Sequence, residues 1–401
     1  MAWSLGAATS GGINLYTGAD DGNLTSLRLS KSGDGYILEQ TSVTDSCGAQ
    51  PVWLDLDKPN NVLYCLNRPG SVSTYQTSEM GELSEPLDTG NTTIGPVSSA
   101  FYNGSERRGL AAAHYAGGAV TAWNAPPGGN IELIQTFLYP PPVPVGPDPA
   151  QNASHCHDVV VDFTGTYLVV PDLGYDLLRV YTFDADTNKL AEISTVTTVR
   201  GAGPRHGLFW SPDPNWLENR SAPLYFYALA ERDGTITSWR VTYPEEGGLH
   251  FEELQVINSY PGPTNDNVIP AEIELSVRFI YTSNRNDSYY VIPALSPGNS
   301  STEVSDSLSV FSPQEDGSLE VVQHHPAGGL MPRHFKLNKA GDFVAVSLQD
   351  THRVAIIERD VETGLIGDFV AHVDTVGQAV VTVWDEYKMM LSLSSATICT
   401  T

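Results

Sequence analysis

His155-Cys156-His157 sets two imidazoles on the same side of an extended segment, and Asp172 follows one hairpin later. Arg205 and His206 head another such run with Glu231 behind them, Glu272 is followed by Arg285, and Arg333 and His334 by Gln349. An imidazole titrating near neutrality serves as general base or acid, a guanidinium stays charged and grips an oxyanion or a carboxylate, and a carboxylate orients either or acts as an acid. Those are the parts needed to open an ester ring: a base for water, a cation for the oxyanion, an acid for the departing alkoxide. Any one of these residues alone is more often a structural group bonding loop carbonyls. Their recurrence at matching places is what points to a site, and Asn67 and His114 occupy the same places in two further units.

Other chemistries fit less well. His155 and His157 could form a metal pair, but no carboxylate cage accompanies them. There is no G-x-S-x-G elbow, no H-E-x-x-H and no phosphate-binding loop. Metal-independent chemistry without a cofactor is therefore expected. Cys156 reads as a small packed side chain, with a reactive thiol or a metal ligand as alternatives.

The elements that must position these residues are short strands. Ser154 to Tyr181 reads as a polar head, an apolar run from Val159 to Val161, a turn at Phe163-Thr164-Gly165, a run from Tyr167 to Val170, a break and an alternating run ending in Tyr181. That is an antiparallel meander whose second strand returns to where the first began, placing His157 and Asp172 at one rim. The same pattern recurs from Pro51, from Gly95, from Gly203, from Ala271 and from Met331, with leading strands roughly 45 to 65 residues apart. The N-terminal unit, Ile13 to about Thr44, lacks a leading strand, and Gln378 to Asp385 supplies one with nothing after it. Six whole units and one shared between the ends predict an all-β chain, a single domain over residues 1–401, folded as a seven-bladed β-propeller of four-stranded blades. A pair of β-sandwiches would leave the split unit unexplained.

The formal charge of −26, from 21 Lys plus Arg against 47 Asp plus Glu, makes nucleic acid and anionic membrane surfaces poor partners. No run approaches the roughly 18 apolar residues needed to span a bilayer, and Met1 to Ser10 lacks the basic and apolar regions of a signal peptide. Seven N-x-Ser/Thr sequons, at Asn23, Asn91, Asn103, Asn152, Asn219, Asn286 and Asn299, exceed the about three expected by chance. A mature extracellular protein is expected, with a cytoplasmic one as the alternative. Cys47 and Cys65 lie close enough in one unit to pair.

The Ser154-His155-Cys156-His157 head with Asp162, Gly165, Tyr167, Leu168 and Val170-Pro171-Asp172-Leu173-Gly174 resembles the seven-bladed lactonase family, as do Gly203-Pro204-Arg205-His206, Ser283-Asn284-Arg285 and Pro332-Arg333-His334. That family includes bacterial 6-phosphogluconolactonases and fungal 3-carboxy-cis,cis-muconate cyclase. The resemblance implies a metal-free site in the channel mouth with His157, Arg205, Glu231 and Arg285 as catalytic groups: His157 as base or acid, the two arginines as clamps, Glu231 as partner acid or orienting group. His155, Asp172, His206, Glu272, Arg333, His334 and Gln349 are expected to line the substrate. The partner expected is a small lactone or unsaturated carboxylic acid, and the protein a monomer or small homo-oligomer. Secretion and the acidic body favour hydrolysis of a neutral aldono-1,5-lactone, with muconate cyclisation second and a non-catalytic binding propeller third.

Overall fold

The computed structural model describes residues 12–386 apart from 105–106, 141–146, 263–266, 277 and 297–299. Seven four-stranded antiparallel sheets stand in a ring. We number as blades 1 to 6 the sheets whose innermost strands are Pro51–Asp57, Pro96–Tyr102, Val160–Val161, Pro204–Trp210, Ile269–Ser276 and Pro332–Leu337. In blade 7 the innermost strand is Ala379–Asp385, and Ile13–Ala19, Leu24–Ser32 and Gly35–Thr44 complete the sheet outward. The ring thus closes by pairing the two ends of the chain, Leu15 opposite Trp384 and Thr17 opposite Thr382, which removes the open edges of a linear array. The expected seven blades and split blade are what the structure has. The only helix among the described residues is a single 3-10 turn, Lys58–Asn60.

Local chemistry explains the hairpins. In blade 3, Asp162 Oδ1 accepts from the backbone N–H groups of Thr166 and Tyr167, Oδ2 accepts from Thr164, and Gly165 supplies the positive φ of +68° that closes the turn. On the opposite rim Gly174 lets its loop press against the segment leading to His155, since a Cβ there would run into the Ala153 carbonyl.

The apolar side chains collect in seven clusters, one at each blade-to-blade interface. Between blades 1 and 2, for example, Tyr64, Leu66 and Val72 pack on Leu110, Ala112 and Trp123. The ring is held by sheet-on-sheet burial, at roughly 25 cal/mol per Å² of apolar surface. The centre therefore carries no packing duty, and the innermost strands can present polar side chains there. Blade 5 holds an insertion after Arg285 that forms its own two-stranded sheet, Tyr290–Pro293 with Thr302–Ser305. Cys47 and Cys65 are joined by a disulfide, with Cα atoms 6.2 Å apart, and Cys156 is a buried thiol packed between blades 2 and 3.

Candidate active site

Each of blades 1 to 6 brings two residues to the same end of the channel, and the strand register shows which. Pro51, Pro96, Pro204 and Pro332 begin their innermost strands and Pro270 is the second residue of its own, and they pair with Asn67, His114, Ala230, Leu348 and Asn284 on the second strand. In blade 3 the corresponding pair is Cys156 with Asp172. In the five proline blades the register shifts immediately afterwards. A bulge re-aims the residue it displaces. The residue next to each starting position is Val52, Val97, His157, Arg205, Ala271 and Arg333, so His157, Arg205 and Arg333 are structural equivalents from three blades. On the returning strand the residues just past the pair are Arg68, Tyr115, Leu173, Glu231, Arg285 and Gln349.

These two sets meet. Glu231 Oε2 accepts from Arg205 Nε at 2.9 Å and from Arg285 Nη2 at 2.7 Å. Arg205 also donates through Nη1 to the Ala271 carbonyl, and Arg285 Nε to the Ile269 carbonyl at 2.9 Å, so both guanidiniums are locked against the neighbouring strand start. Burial works against the Glu231 carboxylate, but Arg285 and Arg205 outweigh it and hold its pKa down to about 2. Glu231 is therefore ionised at neutral pH and orients the two arginines rather than serving as a proton donor. Arg205, nearly fully buried and beside Arg285, is lowered to about 10 and remains a cation.

Arg333 is different. It is half-buried, makes no hydrogen bond or ion pair with any other described residue, and has Arg205, Arg285 and Arg68 as its charged neighbours together with Glu231. Burial and those cations hold its pKa well below the usual guanidinium range. The loop delivering it is fixed from blade 5: Met331 takes the left-handed φ of +57°, and its N–H donates to Asp306 Oδ2, which also accepts from Asn286 N–H at the base of the insertion.

His157 lies 4% exposed, with burial and then Arg205, His206 and Arg333 lowering its pKa well below 6.5. Its Nδ1 is 3.2 Å from His206 Nε2. His206 belongs to the layer beneath the mouth, where the second residue after each start is Trp53, Ser98, Asp158, His206, Glu272 and His334. That layer is continuous: the Trp53 edge meets the rings of His206 and His334 at 5.7 and 5.4 Å, Ser98 donates to Asp158 at 2.7 Å, and Glu272 Oε1 lies 2.8 Å from His206 Nδ1. His206, Glu272 and His334, expected to line the substrate, thus sit under the mouth residues.

Asp172 does not line the mouth. It is 0% exposed, paired with Arg179 at 2.7 Å, and accepts from Ser154 Oγ and His155 N–H, holding the His155 segment from behind. His114 bonds the Thr93 carbonyl and Thr121 Oγ1, and Asn67 bonds Gln50 N–H and Ser71 Oγ, so both brace strands. His155 stacks on Tyr115 at 4.2 Å and contacts the Tyr115 carbonyl through Nδ1, while Gln349 donates to Gln378 at 3.1 Å. Tyr115 also presents its ring to His157 at 5.6 Å. Tyr115, Arg68 and Trp53 were not among the expected residues; counting a fixed register from each proline start would have found them.

Of the sequons, Asn91, Asn152, Asn219 and Asn286 are exposed and Asn23 is half-buried. Asn103 spends its side-chain amide on the Ala185 carbonyl and Asn188 Oδ1. Asn299 lies outside the described residues. Among the described residues no group of three or more His, Cys, Asp or Glu is arranged to hold a metal ion.

A family model described as "Lactonase, 7-bladed beta-propeller" matches residues 11–384. A protein of Arthroderma benhamiae named "Probable 6-phosphogluconolactonase" is 24% identical over 326 residues, covering 80% of this chain and 76% of the relative. The Bacillus subtilis protein named 6-phosphogluconolactonase is 25% identical over 322 residues, covering 78% and 81%. In fold, the Pseudomonas aeruginosa periplasmic gluconolactonase superposes with a TM-score of 0.75 at 21% identity, covering 93% of this chain and 98% of that one.

Proposed function

The chain belongs to the seven-bladed β-propeller lactonase family, and from that premise we propose that it hydrolyses a sugar lactone at the channel mouth, with His157 as the base. The observation that carries this is a buried imidazole, His157, with Arg205 and Arg333 among the charges that keep it neutral, and an Arg333 guanidinium that makes no hydrogen bond or ion pair with any other described residue. A water held by His157 gives up a proton to the imidazole as its oxygen bonds to the lactone carbonyl carbon. The resulting oxyanion faces Arg333, with Arg205 behind it. The bond to the ring oxygen then breaks, and the imidazolium returns its proton to that oxygen, leaving the open hydroxy acid. Glu231 keeps the guanidiniums in place throughout.

The acidic body favours a neutral substrate, but the mouth does not. Arg68, Arg205, Arg285 and Arg333 gather there around Glu231, and local charge outweighs the distant field over a few ångströms. We therefore place an aldono-1,5-lactone bearing an anionic group ahead of the neutral sugar lactone, in keeping with the names of the two sequence relatives. An extracellular location remains our proposal; the Cys47–Cys65 disulfide and the exposed sequons support it. The cyclase reading rests on the sequence resemblance alone.

The experiment is a pH-indicator assay of the purified protein with 6-phosphoglucono-1,5-lactone, glucono-1,5-lactone and cellobiono-1,5-lactone, corrected for spontaneous opening, beside the ultraviolet absorbance of 3-carboxymuconate. Acid release well above background, lost in His157→Ala, supports a lactonase. Loss of muconate absorbance with the lactones untouched would establish the cyclase instead, and silence in all four would overturn both.

A further inference from the structure

One imidazole at the mouth, His157, and two imidazoles with one carboxylate beneath it, His206, His334 and Glu272, have their proton positions dictated by fixed neighbours. Thr382 N–H points at His334 Nδ1 at 3.4 Å, which makes Nδ1 the acceptor and leaves the His334 proton on Nε2. That Nε2 lies 3.7 Å from Glu272 Oε2, a buried oxygen with no hydrogen-bond donor of its own. The other oxygen, Oε1, accepts the backbone N–H of Ile273 at 3.1 Å and faces His206 Nδ1 at 2.8 Å. A carboxylate only accepts, so the His206 proton must be on Nδ1 and its Nε2 must carry a lone pair. His157 Nδ1 is 3.2 Å from that lone pair and must be the donor. The remaining nitrogen, His157 Nε2, is then the unprotonated one, and it bonds no other described residue.

We propose that Glu272, acting through His206, is the positioning residue that fixes His157 in the Nδ1–H tautomer and so presents Nε2 as the base. The role of that base rests on the lactonase reading above; the tautomer does not. Without Glu272 the His206 ring could turn its proton the other way, donate Nε2–H to His157 Nδ1, and force the His157 proton onto Nε2, where no proton could be accepted from water. Glu272 has a second use. When His157 takes a proton on Nε2, the new charge is shared along Nδ1–H to His206 and is met by the carboxylate beyond it, with no proton leaving the chain. Burial lowers both His206 and His334 to about 3, so each stays neutral and keeps its single proton where its neighbours place it. Glu272 comes from blade 5, His206 from blade 4 and His157 from blade 3, so three blades set one tautomer.

The test is the imidazole nitrogen-15 spectrum of histidine-labelled wild-type protein at pH 7, with His157 and His206 assigned by their loss in His157→Asn and His206→Asn. A pyrrole-type Nδ1 and a pyridine-type Nε2 at His157, and a pyrrole-type Nδ1 at His206, are expected. A His157 protonated on Nε2, or one averaging between tautomers, would overturn the assignment whether or not the protein opens lactones. Glu272→Gln adds the functional arm: its amide can donate to His206, so kcat should fall about 10²-fold with KM within about 3-fold, while the His157 signals shift toward the other tautomer. Glu272→Asp, which keeps the acceptor, should recover part of the rate. Unchanged kcat and an unchanged His157 tautomer in Glu272→Gln would equally overturn the proposal.

Discussion

Arg285 Nη2 closes on Glu231 Oε2 at 2.7 Å, and Arg205 Nε takes the same oxygen at 2.9 Å. One carboxylate thus holds two guanidiniums that would otherwise repel. Its pKa of about 2 in place of 4.5 is a stability statement: the contribution, about 3 kcal/mol, is present above pH 4.5 and is lost as pH falls through the native value. Glu231→Gln should remove that dependence, destabilise the fold by roughly 3 to 5 kcal/mol because two buried cations lose their counter-charge, and lower kcat/KM as the arginines separate. Urea unfolding at pH 7 and pH 3 measures it. A variant as stable as the wild type at pH 7 would show that the pair of contacts is idle.

Arg333 offers the opposite case. Because it faces Arg205, Arg285 and Arg68 with no ion pair to any other described residue, its removal should leave stability unchanged or raise it by up to about 1 kcal/mol, while lowering kcat/KM by about 10²- to 10³-fold. Sulfate or phosphate should raise the melting temperature of the wild type and do little for Arg333→Ala, since an anion that binds only the folded state stabilises it by mass action. Equal anion stabilisation in both proteins would place the binding elsewhere.

The blade count was legible because Gly, Pro and Asp punctuate runs of alternating polarity, and the split blade because a leading strand at Ala379 had no blade to follow it. The site was legible only in part. His157, Arg205, Glu231, Arg285 and Arg333 come together around the mouth, but Asn67, His114 and Asp172 were expected there and their chain neighbours Arg68, Tyr115 and Leu173 stand at that position instead. Alternation on a strand means that a slip of one residue moves a side chain to the other face. The bulge after each starting proline decides which neighbour faces in, and blade 3 has no proline at its start to mark the register. The layer of His206, Glu272 and His334 was unreadable for another reason: its polar contacts to other strands join residues 48 to 66 positions apart, as in His334 to Thr382 and His206 to Glu272, and its ring contacts to Trp53 reach further still.

The buried imidazoles set the acid limit. His157 is held well below 6.5 and His206 and His334 near 3, chiefly by burial. An unfolded histidine titrates near 6.5, so below that pH the unfolded chain binds protons that the folded one refuses, and stability falls as pH falls. The urea midpoint should be level above pH 7 and decline between about pH 6.5 and pH 4, before the Glu231 contribution is lost. His334→Asn should flatten that decline. In activity, the acid limb of kcat/KM should lie below pH 6.5, because the free enzyme keeps His157 neutral there. An acid limb at or above 6.5 would identify a different base.

Ring closure depends on the pairing of the chain ends. Tyr16 Oη donates to Asp385 Oδ2 at 3.0 Å, Lys58 Nζ from blade 1 reaches Asp385 Oδ1 at 2.7 Å, and Thr17 Oγ1 donates to the Val381 carbonyl at 2.8 Å. Tyr16→Phe leaves a buried carboxylate one donor short and should cost about 1 to 3 kcal/mol. Ending the chain after Thr375 removes the innermost strand of blade 7 and bares the Ile13–Ala19 edge. Unpaired backbone there is a template for another chain, so this truncation should elute as oligomers or precipitate. A synthetic peptide of residues 378–386 added during refolding should restore the full-length elution and the melting transition, because it supplies the missing strand to the edge that needs it. A truncated chain that elutes unchanged and melts as before would mean that six sheets and the remaining three strands hold the ring without closure.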